Sequence, residues 1–171
     1  LFRSLLGLVV PAPRSGQAAA QALPGLTKKK GPEPPRLSYV SPAVRTQTKR
    51  GEWLEALPDQ AVEANTRIAT GKAGGAELST GSEVRINIDP TTTVLVKKLA
   101  RGGRGAGELQ LDTGTLLIEV AEAKGIGPLT IRTSDGDIKL RGATARITSD
   151  GPGRTSVAVY QGLAAVRIRG T

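Results

Sequence analysis

Most of the side chains that enzymes use for nucleophilic and acid–base chemistry are missing from this 171-residue chain. It has no His, no Cys and no Met. Without His there is no Ser-His-Asp triad and no His-based proton relay. Without Cys there is no thiol catalysis, no disulfide, no iron–sulfur cluster and no common structural zinc site. Carboxylates remain. Asp135 and Asp137 flank Gly136, and two such groups could bind Ca²⁺ or share a proton. A calcium loop needs more oxygen ligands at fixed spacing, so this stretch reads as the polar tip of a hairpin. Glu119 and Glu122 stand where a strand runs into a turn and need not converge. Arg101-Gly102-Gly103-Arg104-Gly105-Ala106-Gly107 is Gly-rich and basic, but it matches neither G-x-G-x-x-G nor a Walker loop and reads as a flexible connection. No nucleophile stands beside a base. The chain is expected to be a non-enzyme with no catalytic residue, no cofactor and no metal. The one enzymatic alternative is a glycan hydrolase working with carboxylates alone, whose mark would be two carboxyl groups about 5–10 Å apart in a groove.

What remains is recognition. Residues 1–50 carry nine basic groups against one acid, Glu33, whereas residues 51–171 carry fifteen against fourteen. The basic character therefore belongs to the N-terminal part, and the body is close to neutral. A nucleic-acid binder should show a basic stripe on its folded face with aromatic platforms, so no nucleic acid is expected. The candidate partner-binding residues are Lys28, Lys29, Lys30, Arg36, Trp53, Arg101 and Arg104. The lysines would touch an acidic partner or envelope polymer. Trp53 would anchor a partner or, in a chain with four aromatics, plug the core.

Residues 1–36 read as an extended arm. Leu5-Leu6-Gly7-Leu8-Val9-Val10 is a short apolar run after Arg3, and Ala20-Gln21-Ala22 has the spacing of a signal-peptidase site. The run is too short to span a bilayer. Lacking Met, the chain is expected to be a fragment, a processed form or part of a longer one. A Pro-rich linker, Lys28 to Pro35, follows.

From residue 37 the apolar residues alternate. Val84, Ile86 and Ile88 set the rhythm, and it continues through Leu109-Leu111, Leu116-Ile118-Val120, Leu129-Ile131, Ile138-Leu140, Ala145-Ile147, Val157-Val159 and Ala164-Val166-Ile168. A period of two buries one face of a strand. Turn signals separate the runs: Thr80-Gly81, Asp89-Pro90, Thr113-Gly114, Asp135-Gly136, Asp150-Gly151 and Gln161-Gly162. The expectation is an all-β domain over residues 37–171, an irregular β-solenoid or sandwich of about ten to twelve short strands. Three strand–Gly–strand echoes around Gly81, Gly114 and Gly136 are too unevenly spaced for a strict repeat. One helical turn is expected at Glu52–Leu57, ended by Pro58.

The order of motifs resembles a known family. Arg67-Ile68-Ala69-Thr70-Gly71 is followed by Ala76-Glu77-Leu78, then by Gly81-Ser82-Glu83-Val84-Arg85-Ile86. Leu109 to Val120, Leu129 to Thr133 and Ile138 to Ile147 come next. Val157-Ala158-Val159-Tyr160-Gln161-Gly162-Leu163-Ala164-Ala165-Val166 closes the series. Over residues 39–169 this is similar to the FecR domain of bacterial envelope proteins. One departure is Ala143 after Gly142, where that family usually has Thr, which leaves the local side-chain hydrogen bond unexpected here. The resemblance implies an all-β, non-catalytic domain in the periplasm or outside the cell, acting as an interaction or scaffold module. It also implies the alternative of an anti-sigma-type signalling module that relays the state of an outer-membrane receptor. Self-association into an oligomer or filament through the basic arm is a further expectation. A basic organelle or ribosomal accessory protein binding RNA through residues 1–36 is the contrasting alternative.

Overall fold

The computed structural model describes residues 34–47, 49–100 and 105–169. Eleven strands and, among the described residues, no helix make up the fold. They are β1 (Arg36–Val40), β2 (Val44–Gln47), β3 (Trp53–Glu55), β4 (Thr66–Thr70), β5 (Ala76–Thr80), β6 (Val84–Ile88), β7 (Thr93–Lys98), β8 (Gly105–Val120), β9 (Ile126–Arg132), β10 (Gly136–Ser149) and β11 (Thr155–Ile168). The period-two reading holds residue by residue: Ala76, Leu78 and Thr80 are buried on β5, and Val84, Ile86 and Ile88 on β6, with Arg85 outward. Glu52–Leu57 is not helical. Trp53–Glu55 pairs with Gln47–Arg45 as a short edge strand, because Pro58 leaves too little chain for a helical nucleus to propagate.

One curled sheet runs β1-β5-β6-β8-β7-β4-β2-β3, with β9, β10 and β11 joined to it through β8 and β10. β8 is the hub. Its first half pairs with β7 antiparallel and β9 parallel, and its second half pairs with β6 and β10. β10 divides likewise between β9 and β8. Long strands that serve two parts of a sheet must turn a corner.

The corners show in the parity of the buried residues. On β8 the buried apolar residues are Leu109 and Leu111, then Leu116, Ile118 and Val120. On β10 they are Ile138 and Leu140, then Ala143, Ala145 and Ile147. Odd becomes even, or even odd, across Gly114 and across Gly142. Both glycines have positive φ, +99° and +51°, which only Gly adopts readily. The extra residue keeps the apolar side on the core after the bend. The expected turns at Thr113-Gly114 and Gln161-Gly162 are therefore corners inside continuous strands rather than loops.

Threonines tie the first corner. A Cβ at Gly114 would collide with Thr92, whose hydroxyl accepts the Thr115 amide at 3.0 Å. The Thr92 amide in turn donates to the Thr70 hydroxyl at 2.9 Å, and that hydroxyl donates to the Asp89 carbonyl at 2.7 Å. The Thr115 and Thr148 hydroxyls meet at 3.0 Å. Backbone groups that the corner takes out of the ladder are met by side chains, which avoids a cost of about 1–3 kcal/mol for each one left bare.

The second corner generates a prediction. Gly162 on β11 (φ +80°) lies against Gly142, and a Cβ there would land on the Gly142 carbonyl oxygen and 2.7 Å from the Ala143 Cα. Gly151 has a similar backbone (φ +101°) but open space around it. Gly162→Ala should lower the unfolding free energy by about 2–4 kcal/mol. Gly151→Ala should lower it by about 1–2 kcal/mol. Urea denaturation of the two variants measures the difference, and equal losses would remove the corner-contact account.

Candidate functional site

In the β10–β11 hairpin β10 is largely buried, whereas β11 is exposed along most of its length. The two strands pair from Gly136↔Ile168 to Ser149↔Thr155, with irregularities between Arg141 and Ala145 where the corner lies. Among the described residues, β11 pairs only with β10. One side of a 14-residue strand thus presents unpaired amides and carbonyls. It holds no Pro, no Lys and one charged residue, Arg167, so it lacks the usual guards of an edge apart from its bulge.

Register assigns the faces. Val157, Ala164 and Val166 lie opposite the buried Ile147, Leu140 and Ile138, so they point to the core side. Ala158, Leu163 and Ala165 lie opposite Arg146, Arg141 and Lys139 and point outward. The core-side row is incompletely covered: Val166 is 55% and Ile168 78% exposed. On the outer side Tyr160 is 64% and Leu163 77% exposed. Covering a side chain of this kind contributes up to about 1.5–3 kcal/mol. Under the end of the strand opens a cleft of about 580 Å³, with Ile138, Val157, Val166 and Ile168 as its apolar wall and Asp135 and Arg169 at its polar end.

That polar end is a clip between two turns. The Asp135 carboxylate accepts the Gly153 amide at 2.6 Å, the Thr155 hydroxyl at 2.7 Å and the Ser134 hydroxyl at 3.1 Å. Its carbonyl accepts the Arg169 amide at 2.9 Å. Asp137 instead receives Arg169 at 2.8 Å and Arg132 at 3.8 Å. The two carboxylates that flank Gly136 therefore have separate structural partners, as a hairpin tip requires. Other acids sit in cross-strand ion pairs. Arg85 lies between Glu77 (3.6 Å) and Glu119 (3.4 Å), Arg132 meets Glu108 (3.3 Å), and Arg146 meets Asp89 (3.3 Å). Among the described residues no acidic cluster is arranged to hold a metal ion. Glu63 and Asp135 are both held below the ordinary carboxylate range, the first by the hydrogen bond from Lys49 and its charge, the second chiefly by the Thr155 hydroxyl and Gly153 amide. A glycosidase acid needs a shift in the opposite direction.

The residues singled out from sequence fare differently. Lys28, Lys29, Lys30, Arg101 and Arg104 lie outside the described residues, as does the signal-like run. Arg36 on β1 donates to the Asp59 carbonyl at 2.7 Å, a clip onto the loop after β3. Trp53 is not a core plug. It stands 40% exposed on edge strand β3 with the Arg45 guanidinium 5.8 Å from its ring centre, because a three-residue edge strand has no second layer over it. Arg36 and Trp53 occupy strands at opposite ends of the sheet path and neither is on β11. The β11 edge was missed, although the odd step from Val159 to Ala164 and the absence of Lys and Pro are both visible in the sequence.

The sequence model described as "FecR protein" matches residues 66–165, from the start of β4 into the last third of β11. No curated protein matches the chain. Two crystal structures of a "putative anti-sigma factor" from Parabacteroides distasonis are similar to it, at 16% and 15% identity with TM-scores of 0.48 and 0.49. Each alignment covers 61% of this chain and 48% of the other, so the chain spans about half the length of those proteins. The motif Thr70 now has a physical role, as the hydroxyl that caps the β7 backbone at the first corner.

The Asp135 clip predicts a pH dependence. Its folded pKa lies below its unfolded one, so its contribution is present above the unfolded value, about 3.9, and is lost as the pH falls through the folded value. Wild type should be more stable than Asp135→Asn at pH 7. The gap should narrow at pH 3, as read by chemical denaturation. A gap that stays constant would assign the effect to something other than the carboxylate charge.

Proposed function

The chain belongs to the FecR protein family, and from that premise we propose that it is a non-catalytic recognition module of the bacterial cell envelope, working in the periplasm or outside the cell by taking up a protein partner's strand on β11. The observation that carries this reading is the edge itself: fourteen residues that, among the described residues, are paired on one side only, with apolar side chains in both directions. Strand addition gives affinity through main-chain hydrogen bonds and specificity through alternate side chains. Val157, Val166 and Ile168 would supply the apolar half of that specificity, and Asp135 with Arg169 a polar register mark at one end. The absence of His and Cys and the cross-strand pairing of the acids support a non-enzymatic role. The family resemblance supports a regulator-type task, in which occupancy of the edge reports the state of another envelope protein. An RNA-binding role draws little from the described body, where Arg67, Arg85, Arg132, Arg146 and Arg169 each face an acid.

Site-specific photo-cross-linking in cells of the source organism tests this. A benzophenone side chain at Leu163 should cross-link to protein, whereas one at Leu57, exposed in the loop after β3, should not. Ala158→Lys with Ala165→Lys, which charges the outer row of the edge, should abolish the Leu163 product. Cross-linking that is absent at Leu163, equal at both sites, or indifferent to the lysines would reject the reading.

A further inference from the structure

β11 is complementary to itself. Its sequence reads Thr155-Ser156-Val157-Ala158-Val159-Tyr160-Gln161, then Gly162-Leu163-Ala164-Ala165-Val166-Arg167-Ile168. Laid antiparallel on a second β11 about an axis between Gln161 and Gly162, Val157 meets Val166, Val159 meets Ala164, Ala158 meets Ala165 and Tyr160 meets Leu163. In a straight strand such a register is forbidden. It pairs odd positions with even ones, and would set a core-side residue opposite an outward one. Here the parity switches at the corner. Val157, Val159, Ala164 and Val166 all lie opposite buried residues of β10, while Ala158 and Ala165 lie opposite Arg146 and Lys139. Face therefore meets face along the whole strand.

The bend agrees with the pairing. A two-fold axis normal to the sheet at the corner exchanges the two arms of β11 and leaves the direction of the bend unchanged. The joined sheets would thus curve together rather than splay. The charges agree as well. The register brings Arg154 beside Arg169 of the other copy, but each already faces an acid, Asp150 at 3.9 Å and Asp137 at 2.8 Å. The four groups at each end sum to zero charge.

We propose that β11 is a homodimer interface, in which two copies pair their β11 strands antiparallel about the corner at Gly162 and close their apolar rows over one another. This deepens the strand-recognition reading and rests on it: the partner strand is the same strand. Such an interface is isologous and closed, which gives a dimer and not a filament. A two-fold contact also satisfies the edge completely, since no β11 is left over.

The chain has no Cys, so cross-linking has no background. Two chains would be made, Ala158→Cys and Ala165→Cys, both at exposed positions of the outer row. Under mild oxidation their mixture should give a disulfide between the two variants, while either variant alone should give little. Sedimentation equilibrium of the unmodified chain, from about 1 µM to about 1 mM, the range where weak association shows, should reveal a mass rising to twice that of the monomer. Hydrogen exchange at the β11 amides should slow over the same range. Disulfides forming as readily within each variant as between them would overturn the register and with it the proposal. So would a chain that remains monomeric throughout. In a monomer the exchange separates the two readings: fast β11 amides leave the edge open for another protein's strand, whereas β11 amides as slow as those of β10 would overturn strand recognition too.

Discussion

Everything in this domain depends on keeping one apolar face on the core while three long strands turn corners. A strand has a strict period of two, so a bend without an added residue would send every later apolar side chain to solvent. Gly114, Gly142 and Gly162 absorb the change. Each has positive φ, each sits where the buried parity switches, and none leaves room for a Cβ beside its facing backbone or side chain. Ten residues of the buried cluster, Leu109 to Val120 on β8 and Ile138 to Ile147 on β10, are kept on the core side by the first two of these residues.

The corners also decide where hydrogen bonding is difficult. At Gly114 the ladder between β7 and β8 slips between Thr93 and Val94. The hydroxyls of Thr70 and Thr92 fill in for the lost strand contacts, and those of Thr115 and Thr148 bond each other across β8 and β10. At the β10–β11 corner no threonine does this, since Ala143 occupies the position and is buried. There the backbones of Gly142 and Gly162 approach closely instead. The first corner is braced by side-chain hydroxyls and the second by close backbone packing, and neither leaves room for a Cβ at its glycines.

Much of this was legible in the residues. Alternation located nearly every strand, and the polar tips at Asp135-Gly136 and Asp150-Gly151 are true hairpin ends. Two signals misled for a shared reason. Thr113-Gly114 and Gln161-Gly162 have the composition of turns, because a turn and a corner both need a residue at positive φ. Only the parity of the flanking apolar residues separates them: a hairpin reverses the chain and restarts the count, whereas a corner shifts it by one. Glu52–Leu57 misled differently. Its residues suit a helix, but one turn before Pro58 buries nothing, and pairing with β2 offers it a ladder. Trp53 followed that strand to the surface. The β11 edge was hidden because its pattern is that of a core strand. Apolar alternation says which face needs covering but not whether the rest of the domain provides the cover.

That gap bears on function. Edge strands in soluble proteins are usually kept short, charged or bulged. β3 is three residues long, and β1 carries a register shift between Leu37 and Tyr39 and is covered on its outer side by hydrogen bonds to residues 59–62. Both ends of the sheet path are thus protected in the ordinary way. β11 is nearly three times the length of β1 and ends in Val166, Arg167 and Ile168, an arrangement that would promote aggregation if left bare. Its bulge falls at the corner, where it bends the strand, and leaves two apolar arms on either side. A surface that is costly to expose and yet unguarded makes sense when it is normally occupied. The corner that the core requires has the side effect of making that strand match its own copy, so folding and recognition follow from the same added residue.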